Sequence, residues 1–131
     1  MTTDSAQSTP VSARTVALAM AVDALCILVF VAVGRRNHAE GVTLAGVAQT
    51  AWPFLAGGAV GWATSKGWRA PTALRPTGLW VWLDTIVVGM ALRAGIGAGI
   101  ALSFIAVAST VTGVLLLGWR ALYALLGRRS G

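Results

Sequence analysis

The feature that most constrains the fold is a run of eighteen residues, Val16 to Val33, in which Asp23 is the only charged side chain. About twenty mainly apolar residues are enough for an α-helix to cross the hydrocarbon core of a bilayer. Further apolar runs follow at about 42–64, 78–94 and 98–117. With a first span at about 16–33, the sequence predicts an all-α integral membrane protein with four transmembrane helices in a compact bundle.

Composition supports this class. The chain of 131 residues is 56% hydrophobic and 11% charged, with a mean hydropathy of +0.77. A soluble domain with this composition would leave large apolar patches in water. The net charge of +6 could suggest nucleic acid, but the basic residues lie between the apolar runs and not along one polar face. We therefore expect the lipid bilayer as partner, and no nucleic acid.

The polar segments divide the chain into three regions. Residues 1–14 are polar and small, which predicts a disordered cytoplasmic tail. Residues 15–127 contain the four predicted spans. The end of that region overlaps a basic segment, 118–131, in which leucines lie among arginines, so we predict a cytoplasmic tail lying in the membrane interface.

Basic residues predict the orientation. Four spans place both termini on one side, and cytoplasmic loops are enriched in lysine and arginine. The terminal side holds Arg14, Lys66, Arg69, Arg75, Arg120, Arg128 and Arg129, whereas the other side holds Arg35, Arg36 and Arg93. The prediction is a multi-pass plasma-membrane protein whose N- and C-termini are cytoplasmic and whose basic residues meet anionic lipids.

Glycine spacing and one proline predict how the helices pack. Gly57 and Gly61 are four residues apart, as are Gly95 and Gly99, and this spacing lets helix backbones approach closely. Pro53 falls near the middle of the second span. Its ring removes a backbone donor, so we predict a kink there.

Two of the four acids lie within apolar spans. Asp23 and Asp84 are each roughly 9 to 10 Å from the cytoplasmic end of their spans, at 1.5 Å per residue. A charged group inside the membrane is costly, so each should face the bundle interior and have a partner. If the two helices are adjacent, the carboxylates could share or transfer a proton. Alternatively, each could bond to a neighbouring helix and fix the helix register.

The same kinds of residue recur in the same order in the two halves of the chain. They are Asp23, Arg35 and Gly61-Trp62 in the first half, and Asp84, Arg93 and Gly118-Trp119 in the second. This order allows two parallel two-helix repeats, related by an axis along the membrane normal. Chance matching of common membrane residues is the alternative.

A family resemblance covers about 14–127. It rests on Asp23, Gly34-Arg35, Pro53-Phe54, Gly61-Trp62, Trp82, Gly89-Met90, Leu92-Arg93 and Gly118-Trp119-Arg120. In these residues the chain resembles domain-of-unknown-function family 3054, which contains small four-span prokaryotic membrane proteins. The resemblance implies the four-span fold, and it implies no activity because none is assigned to the family.

Two functions remain open from the sequence. The first is a small transport or permeation protein for a proton, cation or small solute, with Asp23 and Asp84 handling the cargo and Arg35 and Arg93 at the outer mouth. The second is a structural or assembly subunit that joins a larger membrane partner or a homo-oligomer. The sequence has no catalytic triad, metal-ligand cluster or phosphate-binding loop, so we expect no enzyme activity, no metal and no cofactor.

Overall fold

The described part of the chain is helical. The computed structural model describes residues 11–36 and 43–130. Within these ranges the α-helices are α1 (Ala13–Arg36), α2 (Leu44–Ser65), α3 (Leu79–Gly95) and α4 (Leu102–Ser130), and no strand is present. The predicted all-α class is confirmed. Most of the predicted tail, 1–10, lies outside the described residues, and α1 begins at Ala13.

Three stretches of the described chain are long and apolar enough to cross a membrane. They are Ala13–Arg35, Leu74–Gly95 and Leu102–Arg128. Helix α2 is not among them. The structure thus supports three membrane-span candidates, and the fourth span stays a prediction.

Helix α2 lies deep in the structure and has defined ends. At its start, the Gly46 amide donates to the Thr43 hydroxyl (3.0 Å), which caps the helix. At its end, Lys66 adopts a left-handed backbone (φ 53°, ψ 51°) and its amide donates to the Ala63 carbonyl. Pro53 is buried within the helix, which continues on both sides of it.

Glycines bring α2 and α3 into close backbone contact. A Cβ added at Gly57 would lie 2.5 Å from the Asp84 carbonyl oxygen, and one at Gly61 would lie 2.5 Å from the Val81 Cα. Any larger residue at either position would therefore push the helices apart.

Gly95 and Gly99 have different surroundings, and their role in helix packing stays a prediction. An added Cβ at either would meet no atom of residues 11–36 and 43–130 within 4 Å. Gly95 ends α3, and Gly99 lies in the connection to α4, so the pair does not lie on one helix face.

The connection between α2 and α3 folds back over the bundle. It contains a short 3₁₀ turn at Gly67–Arg69 and a wide turn at Leu74–Gly78 that leads into α3. The buried Thr77 hydroxyl donates to the Ala70 carbonyl (2.6 Å) and closes the loop. The Pro71 carbonyl of this loop accepts a hydrogen bond from Arg120 Nε on α4 (3.2 Å).

Helix α4 is longer than its apolar run. The predicted span ended at about 117, but the helix continues through 118–130 without interruption. Its buried residues recur every fourth position at Ala108, Thr112, Leu116 and Arg120. This stripe faces the bundle across the predicted boundary, so the first part of the predicted interfacial tail belongs to the packed helix.

The core forms two clusters at different levels of the bundle. In one, the rings of Phe30, Phe54 and Phe104 lie 5.5 to 6.3 Å apart between centroids. In the other, Trp62 and Leu116 pack with Ala19 and Val81. These clusters support two polar sites, one near each end of the helices.

Candidate functional site

Asp23 lies on the inward face of α1. It follows Ala19 and precedes Ile27 at four-residue spacing, and all three are buried. The residue is 4% exposed. An ionised carboxylate at such a position requires charged or hydrogen-bonding partners.

The partner of Asp23 is Arg120 on α4. Arg120 Nη2 donates to Oδ2 at 2.7 Å, and Arg120 Nη1 donates to Oδ1 at 2.8 Å. The guanidinium is fully buried, and its remaining bonds go to the carbonyls of Pro71 and Leu116, each at 3.2 Å. This two-point geometry is the strongest form of the arginine–carboxylate pair.

Two tryptophans complete the shell around the carboxylate. Trp62 Nε1 donates to Oδ2 and Trp119 Nε1 donates to Oδ1, both at 2.9 Å. The Arg120 guanidinium also lies 4.5 Å from the ring centroid of Trp119. Each oxygen of Asp23 thus accepts two hydrogen bonds. We call Asp23, Trp62, Trp119 and Arg120 the aspartate cluster.

The aspartate cluster joins four parts of the chain. Asp23 belongs to α1, Trp62 to α2, and Trp119 and Arg120 to α4, while Pro71 belongs to the connecting loop. Removing one charge would leave the other buried and unpaired, which is strongly destabilising. The arrangement therefore fixes helix register at this end of the bundle.

Arg120 is the residue of this cluster that the sequence interpretation missed. Its place after Gly118-Trp119 predicted a flanking cation, but the structure places it in the interior. Two signals in the sequence point to it: an intramembrane acid needs a cation, and Arg120 continues the four-residue stripe of Ala108, Thr112 and Leu116.

Asp84 does not join this cluster. Its Oδ2 atom and the Thr85 hydroxyl are buried, and neither has a hydrogen-bond partner within 11–36 and 43–130. Trp119, the counterpart of Trp62 in the suggested repeat, bonds to Asp23 and not to Asp84. The equivalence of the two aspartates that the repeat predicts is therefore not found in their contacts.

Arg35 and Arg93 line a single pocket at the opposite end of α1. Its volume is about 530 Å³, which lies in the usual range for ligand sites. The walls include Phe30 and Val31 of α1 and Val107 of α4. We call this space the arginine pocket.

Local contacts hold both guanidinium groups in place. Arg93 donates from Nε and Nη2 to the Gly99 carbonyl at 3.0 and 2.7 Å, and it lies 4.6 Å from the centroid of Phe104. Arg35 Nη1 donates to the Thr50 hydroxyl at 3.2 Å. The two predicted outer arginines are thus brought together at one site.

The charge of the pocket favours an anion. Of the eleven residues that line it in the described part of the chain, two are arginines and none is acidic. Guanidinium groups bind carboxylate and phosphate through directed hydrogen bonds. Among the described residues, no group of three potential metal ligands occurs.

Comparison with known proteins gives one result. A family model described as "Protein of unknown function (DUF3054)" matches residues 20–123. The chain belongs to this family. No significant match was found among curated proteins or among solved structures.

Both sites lie within the DUF3054 region of the chain. The matched range contains the whole aspartate cluster and both pocket arginines. It ends at residue 123, three residues beyond Arg120, so it includes the part of α4 that extends past the predicted span. The DUF3054 region therefore contains a structural ion pair at one end and a basic pocket at the other.

Proposed function

We propose that this DUF3054 protein is a multi-pass membrane protein that binds a small anionic solute in the arginine pocket, as the first step of transport or permeation. The observation that carries this proposal is the pairing of Arg35 and Arg93 in one pocket of about 530 Å³. Both arginines lie near the ends of apolar helices, are partly buried, and are positioned by local bonds.

The proposal assigns the two intramembrane acids different roles. The four hydrogen bonds to Asp23 support a structural role, because its oxygens are already occupied by two indoles and a guanidinium. Asp84 is the acid that remains available to handle a proton, since its Oδ2 has no partner within the described residues.

The proposed orientation places the pocket on the outer face of the plasma membrane. The basic residues Lys66, Arg69 and Arg75 lie in the α2–α3 connection, beside the aspartate cluster. If this side is cytoplasmic, it meets anionic lipids, and the arginine pocket opens to the outside.

Flux measurements test the function. Purified protein in proteoliposomes should take up a labelled small carboxylate or phosphate faster than protein-free vesicles. Arg35→Gln with Arg93→Gln should lower that flux at least about tenfold, because hydrogen bonds to a charged ligand are lost. Arg128→Gln is the matched control, since Arg128 is exposed on α4 and outside the pocket. Flux equal to that of empty vesicles in the unmodified protein, in the double variant and in Arg128→Gln would refute the proposal.

The second candidate function is a structural or assembly subunit. It is favoured by the aspartate cluster, which fixes register without a ligand, and by the exposed apolar residues Leu122, Leu125 and Leu126 near the end of α4. A partner protein or a second copy should then co-purify in mild detergent and be lost on Leu122→Ser with Leu126→Ser. A single, monodisperse species would contradict this candidate.

A further inference from the structure

The walls of the arginine pocket are of two kinds. The guanidinium groups of Arg35 and Arg93 form one part, with the hydroxyl-bearing residues Thr50 and Ser103. Phe30, Val31 and Val107 form an apolar part. A small hydrophilic anion would satisfy only the first part, since an apolar wall gains nothing from contact with an ion.

The position of Arg93 directs its remaining donor. The guanidinium lies over the ring of Phe104, so its plane is held by the aromatic face. Nε and Nη2 are used on the Gly99 carbonyl, and Nη1 has no hydrogen-bond partner within 11–36 and 43–130. A cation with an unused donor beside an apolar wall is suited to a head group that carries a hydrocarbon chain.

We propose that the arginine pocket binds an anionic amphiphile, with a carboxylate or phosphate at Arg35 and Arg93 and a hydrocarbon chain against Phe30, Val31 and Val107. This inference rests on the proposed function, for which it names the class of solute. The head group sits at the end of the helices and the chain follows α1 and α4 toward the bundle interior. That arrangement matches the way a single-chain fatty anion or an anionic phospholipid lies at a membrane interface.

A series of probes separates the two parts of the ligand. Full-length protein in neutral phosphatidylcholine nanodiscs is titrated with labelled decanoate, and empty nanodiscs give the background. Decanol has the chain without the charge, and inorganic phosphate has the charge without the chain. We expect saturable binding of labelled decanoate. Decanol and phosphate should each compete with it at least about tenfold more weakly than unlabelled decanoate does.

A second arm distinguishes a free fatty anion from a bilayer lipid. Nanodiscs that contain phosphatidylglycerol are compared with pure phosphatidylcholine, and lipids retained by the protein are counted by native mass spectrometry. Retained phosphatidylglycerol that displaces decanoate identifies the bilayer lipid as the source. Decanoate binding that is unchanged by phosphatidylglycerol identifies the free anion.

Two variants test the pocket without depending on a single fold-sensitive change. Arg35→Gln with Arg93→Gln removes the charges, and Val107→Phe keeps them and fills the apolar part. Both should weaken decanoate binding at least about tenfold, whereas Arg128→Gln should not change it. Competition on the unmodified protein keeps the test valid if the double variant does not fold.

The outcomes have distinct meanings. Phosphate binding equal to decanoate binding, with no effect of Val107→Phe, overturns the amphiphile and leaves an anion pocket for the proposed function. Decanol binding as tight as decanoate binding overturns the role of the arginines. Flux of a small anion without any amphiphile binding refutes this inference alone, and absence of both refutes the proposed function as well.

Discussion

At the residue scale, Asp23 and Asp84 have different surroundings although each lies within an apolar run of the sequence. Asp23 receives four hydrogen bonds, two of them from a fully buried arginine. Asp84 Oδ2 receives none from the described residues. Burying one member of an ion pair without the other is costly, and Arg120 is the cation that accompanies Asp23 into the interior.

Replacing these acids separately should show the difference. Asp23→Asn should lower the free energy of unfolding by about 3 to 5 kcal/mol, because it leaves Arg120 buried and unpaired. Adding Arg120→Leu should recover most of that loss. Asp84→Asn is the matched control and should change stability much less. SDS-induced unfolding in mixed micelles measures all three, and equal losses for the two single variants would contradict the assignment.

The tryptophans offer a graded test of the same cluster. Trp62→Phe removes a bond to a charged group and should cost about 1.5 to 3 kcal/mol. Trp82 donates to the Ser109 carbonyl at 2.9 Å, so Trp82→Phe should cost about 0.5 to 1.5 kcal/mol. Trp80 is 41% exposed, and Trp80→Phe should be close to neutral. Any other order of the three unfolding free energies would argue against a charged acceptor at Trp62.

The sequence predicted Asp23 as a buried group in need of a partner, but it did not identify that partner. Arg120 is 97 residues away, and a single sequence records no pairing between such distant positions. Its neighbours Gly118 and Arg128 suggested a basic tail, so the charge was assigned to the interface. The pocket arginines were easier to predict, since Arg35 and Arg93 each end an apolar run at the same predicted side.

At the element scale, the contact between α2 and α3 depends on glycine. Gly57 and Gly61 lie against the backbone of α3 with no space for a side chain. Their spacing was visible in the sequence, whereas the equal spacing of Gly95 and Gly99 has a different meaning because a turn separates them. The spacing of glycines does not show where a helix ends. Because α3 ends at Gly95, Gly99 lies outside that helix.

Alanine substitution measures this contact. Gly57→Ala and Gly61→Ala should each destabilise the protein by about 1 to 3 kcal/mol, because the new methyl group overlaps the α3 backbone. Gly118→Ala on α4 is the matched control. No atom of the described residues lies within 4 Å of the added Cβ, and the change should be neutral or should stabilise the protein by up to about 1 kcal/mol through helix propensity. Unfolding of all three in mixed micelles checks the prediction, and a loss at Gly118 equal to that at Gly57 would contradict it.

At the scale of the whole molecule, α1 and α2 run side by side over the same distance. Asp23 contacts Trp62 at one level, and Arg35 contacts Thr50 at the other. The two contact points are twelve residues apart on each helix, which is about 18 Å at 1.5 Å per residue. The helices are therefore antiparallel and lie side by side, and this geometry is consistent with the prediction that α2 is the fourth span.

This geometry predicts the topology of the chain, which cysteine labelling can test on a Cys26→Ser background. Single cysteines replace the exposed residues Ser12, Arg69, Ile96 and Arg128. If all four helices cross, Ser12, Arg69 and Arg128 report one side and Ile96 the other. If α2 does not cross, Arg69 and Arg128 change sides and Ile96 joins Ser12.

The first pattern, with Ser12 on the cytoplasmic side, is expected in membrane vesicles treated with an impermeant maleimide. It would place the arginine pocket on the outer face and the aspartate cluster near the inner one.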